Sequence, residues 1–209
     1  SLITLFVLYG ISTRSGQTSV ATMLLAGIAI TALANAATGI FVFISTDQQL
    51  RDLTFWTLGS LGGATWDKVF VSSLFIAPAA FASLLIGRGL NGLLLGEAEA
   101  FHLGIDTQRL KRIIMVIVAC AAGAAVAVAG IIGFVGIVVP HLLRLLIGAD
   151  HRFLVPSSIM VGGTLLLLAD MVARTIVTPA ELPIGIVTAL IGAPFFLWLL
   201  LKRRVALDV

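Results

Sequence analysis

Charge is scarce in this sequence: Asp, Glu, Lys and Arg make up 11% of its 209 residues. A water-soluble domain carries about 25%, so the supply here cannot cover the surface of a soluble fold of this length. Cysteine is nearly absent. Cys120 stands alone inside an apolar run, which excludes a disulfide framework and a cysteine-based metal site. No Gly-x-x-x-x-Gly-Lys-Ser/Thr loop occurs, so a nucleotide that drives this protein must be bound by another chain. The three histidines, His102, His141 and His151, form no His-x-x-x-His pair or other ligand cluster, and structural roles are expected of them. Paired carboxylates and a nucleophile-base constellation are also missing, which argues against an enzyme. No basic residue precedes the apolar opening Ser1-Leu-Ile-Thr-Leu-Phe-Val-Leu8 and no initiator Met is present, so the pattern is not a signal peptide. The expectation is a piece of a longer protein, begun inside a helix.

What the chain has instead is apolar length. Hydrophobic residues make up 59% of it and the mean hydropathy is +1.14. The apolar runs are long and continuous, unlike the ten-residue alternating segments of a membrane β-barrel. An all-α polytopic transmembrane bundle is expected, with about 20 residues per span. Uncharged stretches place a partial span at 1–13 and further spans at about 20–44, 69–87, 111–129, 132–148, 154–177 and 184–201. The fourth and fifth divide the 31 uncharged residues between Arg112 and Arg144, broken at Gly130, Gly133 and Gly136.

Alternating these segments puts ten basic residues on one side: Arg14, Arg88, Arg109, Lys111, Arg112, Arg144, Arg152, Lys202, Arg203 and Arg204. The other side receives Arg51, Lys68 and Arg174. This bias makes the first side cytoplasmic. Acidic residues divide evenly, so the net charge of +3 resolves into +5 at the cytoplasmic face and −2 at the outer one. Nucleic acid is not needed to explain the basic balance.

Four features are candidates for function. Gly96-Glu-Ala-Glu-Ala-Phe-His-Leu103 reads as a short amphipathic helix, with Gly104 ending it in a left-handed conformation and Asp106 capping the next helix. Such a corner is either a device for receiving force from a cytoplasmic partner or an ordinary connection. In Gly130-Ile-Ile-Gly-Phe-Val-Gly-Ile-Val-Val-Pro-His-Leu-Leu-Arg144, three glycines and Pro140 mark a broken helix, bordering a pathway or serving close packing. Asp170 and Arg174 lie four apart on one helical face and are read as a structural ion pair. Glu181, in the turn Pro179-Ala-Glu-Leu-Pro183, is either an outer docking charge or a solvated loop residue.

Several blocks together resemble one family. They are Phe55-Trp-Thr-Leu-Gly-Ser-Leu61, Leu95-Gly-Glu-Ala-Glu-Ala-Phe-His-Leu-Gly-Ile-Asp106 and Gly133-Phe-Val-Gly-Ile-Val-Val-Pro-His-Leu-Leu-Arg144. Asp150-His-Arg152, Leu168-Ala-Asp-Met-Val-Ala-Arg174 and the stretch from Pro179 to Phe195 complete the set. The chain resembles the FecCD permeases of bacterial type II ABC importers, which take up iron-siderophores, haem or cobalamin. In wording it is most similar to the haem-uptake permeases.

The resemblance implies ten membrane helices per subunit, so residues 1–209 form a single permease domain that is incomplete at its N-terminus. It implies a homodimer of permeases in the inner membrane, a cytoplasmic ABC ATPase dimer holding ATP and Mg²⁺, and a periplasmic or lipid-anchored binding protein. No cofactor is expected on this chain. Residues 91–110 become the cytoplasmic coupling region, with Gly96, Glu97, Ala98, Glu99, Ala100, Phe101, His102, Leu103, Gly104 and Asp106 meeting the ATPase. The helix at 20–44 lines the translocation path, with Leu25 and Asn35 on it and Thr18 and Ser19 near the cytoplasmic gate. Leu50–Ser60 becomes a short outer helix carrying Phe55 and Trp56 beside the path. Gly133, Gly136, Pro140 and Arg144 form the broken helix, and Arg51 and Glu181 serve outer docking. The expected function is ATP-driven import of haem. Ferric siderophore or cobalamin is the alternative cargo, and an ATP-independent channel or secondary transporter the alternative class.

Overall fold

Helix follows helix along the chain in a computed structural model: α1 (Leu2–Ser12), α2 (Val20–Ile44), α3 (Asp47–Leu58), α4 (Trp66–Leu85), α5 (Gly87–Leu93), α6 (Glu97–His102), α7 (Thr107–Ala129), α8 (Val135–Ile147), α9 (His151–Ile176) and α10 (Ile184–Val205). A two-residue hairpin joins α1 to α2, with β1 (Thr13–Arg14) antiparallel to β2 (Gln17–Thr18) and Thr13 opposite Thr18. The structure describes the backbone of residues 2–14, 17–18, 20–176 and 182–205, and the side chains of 3–12, 21–176, 182–198 and 201. The fold is an all-α polytopic membrane bundle. Among the described residues, four helices are long and apolar enough to span a bilayer: Ala21–Ile44, Trp66–Leu85, Thr107–Ala129 and His151–Ile176.

Caps correct the expected boundaries. The charge of Lys68 predicts a third span that starts after it, yet α4 begins at Trp66, where the Lys68 amide donates to Thr65 Oγ1 at 3.4 Å and Lys68 Nζ to the Gly63 carbonyl at 2.7 Å. A charge in the first turn can turn back to the interface while its stem covers apolar surface. The sixth span likewise starts at His151 rather than 154, because Asp150 Oδ1 accepts the Arg152 amide at 2.9 Å. The short outer helix runs over Asp47–Leu58 rather than Leu50–Ser60. Its start is a capping box: the Thr46 amide donates to Gln49 Oε1 at 3.1 Å and the Gln49 amide to Thr46 Oγ1 at 3.5 Å. The fifth expected span shortens most. With 13 residues, α8 is about 20 Å long against a hydrocarbon core of about 30 Å, so it cannot cross alone.

Two compact units divide the chain, residues 1–54 with 72–125 and residues 55–71 with 126–209. In the first, α1 packs on α2 and α5 on α6. None of the described residues of α2 is buried. Its hydroxyls turn inward on its own backbone, Thr31 donating to the Gly27 carbonyl at 2.8 Å and Thr38 to Ala34 at 2.9 Å. That arrangement leaves apolar surroundings few polar groups to satisfy.

In the second unit α8 packs along α9, and α10 against both. One core joins Ala169 and Ala173 of α9 to Ile184 and Val187 of α10; another joins Val139 and Leu143 of α8 to Leu154 of α9. Lipid tails are as apolar as these side chains, so close van der Waals fit drives the packing rather than escape from water. Ala169 and Ala173, one turn apart, let α10 approach.

Candidate functional site

In the first unit the stretch from α5 to α7 folds into a tight corner. The end of α6 closes by a Schellman motif: the Gly104 amide donates to the Phe101 carbonyl at 2.9 Å and the Ile105 amide to Ala100 at 3.0 Å. Gly104 adopts φ +80°, a left-handed conformation that glycine takes up without steric cost. Two residues later Asp106 Oδ1 accepts the Arg109 amide at 2.9 Å and starts α7. Ala100 is fully buried, and its Cβ and the tip of Ile105 would both contact a Cβ placed on Gly92 of α5. An ion pair of 2.6 Å between Glu97 and Lys111 ties the first turn of α6 to α7.

Backbone and core contacts are thus satisfied inward, and what faces outward is apolar. Phe101 is 70% exposed, Leu95 and Leu103 each 63%, and Leu94 50%. Phe101 packs edge-on against His102 at a centroid distance of 6.3 Å. Glu99 stands exposed beside them, as do Ala98 and Gly96. A rigid corner with an apolar, partly acidic outer face can receive a partner and pass a displacement directly into α7.

The second unit holds a junction where backbones meet without intervening side chains. The Ser60 amide donates to the Ala129 carbonyl at 2.9 Å. A Cβ on Gly130, whose φ is +70°, would run into the Trp56 carbonyl oxygen and lie 3.1 Å from the Gly59 Cα. A Cβ on Gly185, at the start of α10, would run into the Leu58 carbonyl oxygen, and one on Gly59 would lie 2.8 Å from that of Ile131. The break between α7 and α8 is therefore clamped to the end of α3 and the start of α10. Phe134, at φ +65°, ends the break, and its Cβ and ring occupy the space above Gly192.

The expected broken-helix residues separate accordingly. The discontinuity lies at 130–134, whereas Pro140 sits inside a continuous α8. Gly133 and Gly136 have no atom within 4 Å of where a Cβ would stand, so the close approach expected of them belongs to Gly130. Arg144 is exposed in the last turn of α8. Phe55 and Trp56 are exposed on α3 at 58% and 44%.

Leu25 and Asn35 lie exposed on α2, and Arg51 is exposed on α3. Thr18 falls in β2, but its side chain, Ser19 and Glu181 lie outside the described residues. Asp170 and Arg174 pair at 2.8 Å, as their spacing predicts. The carboxylate and the cation come from one helix, so nothing tertiary was needed to find them.

The sequence gives no individual site role to α5, Ile105, Lys111, Phe134, Gly185 or Gly192. The signal for α5 was weak, because Gly87-Arg-Gly-Leu-Asn-Gly-Leu93 holds three glycines, poor helix formers. Lys111 carried a readable hint in its charge, opposite to that of Glu97. The contacts of Gly185 and Gly192 are to residues far away in the sequence and left no local mark.

Known proteins resemble this chain over nearly its whole length. A profile of the FecCD transport family matches residues 1–202. The hemin transport system permease protein HmuU of Yersinia pestis is 49% identical over 191 residues, 91% of this chain and 57% of that protein. The cobalamin import system permease protein BtuC of Halobacterium salinarum is 43% identical over 205 residues, covering 98% of this chain and 55% of its own. The vitamin B12 import system permease protein BtuC of Vibrio vulnificus is 41% identical over 204 residues, 98% and 61%. The chain thus spans little more than half the length of these relatives. A solved inward-facing structure of a protein assigned as a metal-chelate type ABC transporter superposes with a TM-score of 0.88 at 34% identity, covering 96% of this chain and 64% of that one.

Proposed function

The chain belongs to the FecCD transport family, and from that premise we propose that it is part of the permease subunit of an ATP-driven importer whose cargo is haem. The observation that carries the transport role is the corner over Glu97–Asp106, rigid inside and apolar outside, feeding straight into the long apolar helix α7. In this reading ATP and Mg²⁺ are bound by separate cytoplasmic ATPase subunits that seat the exposed Phe101, Leu95 and Leu103. ATP-driven closure displaces α6, and the Schellman turn and the Asp106 cap transmit the displacement into α7 without loss to loop motion. A second permease subunit completes the path along α2, and an extracytoplasmic binding protein delivers cargo at the side bearing Arg51 and Glu181. The chain itself performs no covalent step.

The preference for haem is supported by the 49% identity to the hemin permease against 43% and 41% to cobalamin permeases. An exposed, almost wholly apolar α2 suits a large planar cargo that is released rather than held. Cobalamin is the second reading, favoured by the longer coverage of the archaeal relative. Proteoliposomes holding the full-length subunit, its ATPase and its binding protein should accumulate haem on addition of ATP. Uptake of cobalamin or a ferric siderophore in place of haem refutes the cargo, and haem uptake without ATP refutes the importer class.

A further inference from the structure

A groove of about 370 Å³ runs between α8 and α9, open along its length. Val139, Val155 and Ile159 wall it, and it is floored by Gly136 and Gly162, where an added Cβ would meet no atom within 4 Å. Glycines that face each other on adjacent membrane helices ordinarily draw the backbones together; here they leave the space open. One end of the groove is polar. Arg144, from the last turn of α8, and His151, from the first of α9, both line it there.

The charge at that end is cationic by elimination. Asp150, the acidic residue at the turn, is engaged by Arg152 through Nη2 at 2.8 Å and Nε at 3.1 Å, and by the Arg152 amide. Arg144 forms no ion pair among the described residues. The charge distribution puts this end on the cytoplasmic side. From Arg144 back to Val135 the groove follows α8 for about 14 Å, and from His151 to Gly162 it follows α9 for about 17 Å. Half of a 30 Å hydrocarbon core is about 15 Å. The groove therefore has the depth of one leaflet, apolar along its length and cationic at the headgroup level.

We propose that this groove is a binding site for an anionic phospholipid of the inner leaflet, its phosphate on Arg144 and an acyl chain lying over Gly136 and Gly162. A water-soluble anion would find the charge but leave the apolar length empty. A zwitterionic lipid would fill the length but bring a cation against Arg144. Neither the transport class nor the cargo is needed for this inference, so its failure and theirs are distinguishable.

The test is native mass spectrometry of the delipidated full-length transporter, titrated with phosphatidylglycerol or with phosphatidylcholine of the same acyl chains. One phosphatidylglycerol per chain should bind in preference to phosphatidylcholine. Arg144→Gln should weaken it about tenfold, as expected for loss of a charge-assisted hydrogen bond, while Arg144→Lys keeps most of the affinity. Gly162→Leu, which fills the open space without touching the charge, should lower occupancy too, and Arg112→Gln on α7 should leave it unchanged. Equal binding of the two lipids by the unaltered protein overturns the proposal without recourse to any variant. So does undiminished phosphatidylglycerol on Arg144→Gln, displacement by millimolar inorganic phosphate, or absence of any bound lipid because another segment of the full-length protein covers the groove.

Discussion

Three glycines at three-residue spacing, Gly130, Gly133 and Gly136, have equal standing in the sequence, yet replacing each by alanine should have unequal consequences. At Gly130 the new Cβ meets the Trp56 carbonyl oxygen and comes within 3.1 Å of the Gly59 Cα. Both are backbone, held by the Ser60 to Ala129 hydrogen bond, and cannot swing aside as a side-chain tip would. The positive φ adds about 1–2 kcal/mol for an L-residue, and the overpacking about 1–3 kcal/mol. Gly130→Ala should therefore cost about 2–5 kcal/mol. At roughly 2–4 °C per kcal/mol for a domain of this size, the melting temperature falls by at least about 4 °C. Gly133→Ala enters open space without a positive φ and should stay within about 0.5 kcal/mol of the parent. Gly136→Ala sits inside α8 and should be neutral or stabilising by up to about 1 kcal/mol. The assay is thermal unfolding of the full-length protein and the three variants in one detergent, with transport measured alongside. A Gly130→Ala protein that melts within 2 °C (about 1 kcal/mol) of the parent would refute the backbone clamp. Equal damage from all three replacements would do the same.

Four further outcomes are expected. Phe101→Ala should reduce co-purification of the ATPase without lowering the melting temperature of the isolated subunit, because the ring is mostly exposed; unchanged co-purification counts against the coupling face. Asp106→Ala should destabilise by about 0.5–2 kcal/mol through loss of the α7 cap and lower ATP-driven transport more than ATPase binding, read by comparing the two activities. Glu97→Gln should cost about 0.5–1 kcal/mol in melting experiments at low salt, a difference that shrinks in 1 M salt because the carboxylate of its pair with Lys111 is half exposed. Asn35→Leu on α2 should leave stability unchanged and alter the uptake rate; an unaltered rate with every cargo removes Asn35 from the path.

How legible the chain was depended on how local each cause is. The Glu97–Asp106 corner could be read residue by residue, since a helix end, a left-handed glycine and an N-cap are all encoded within a few positions. The Asp170–Arg174 pair was readable for the same reason. Charge is a poor marker of the edge of a span at Lys68 and ahead of His151, because caps and snorkelling let a helix start on the polar side of that edge. The start of α3 was missed although Thr46 and Gln49 spell a capping box, a local signal that was there to be used.

The sequence by itself determined the class of protein and its family. Scarcity of charge forces the apolar runs into a bilayer, and backbone groups in a bilayer must be satisfied within each segment, which leaves helices. Only the tertiary structure decided which residues of a motif carry it. Gly130 differs from Gly133 because Trp56 lies against one and nothing lies against the other. Glu97 differs from Glu99 because Lys111 of α7 lies within 2.6 Å of its carboxylate. Gly162 lines a groove because Gly136 of α8, which also lines it, brings no side chain to fill it. Helix formation is satisfied by neighbours in sequence, whereas these distinctions rest on neighbours in space, which periodicity and composition do not specify.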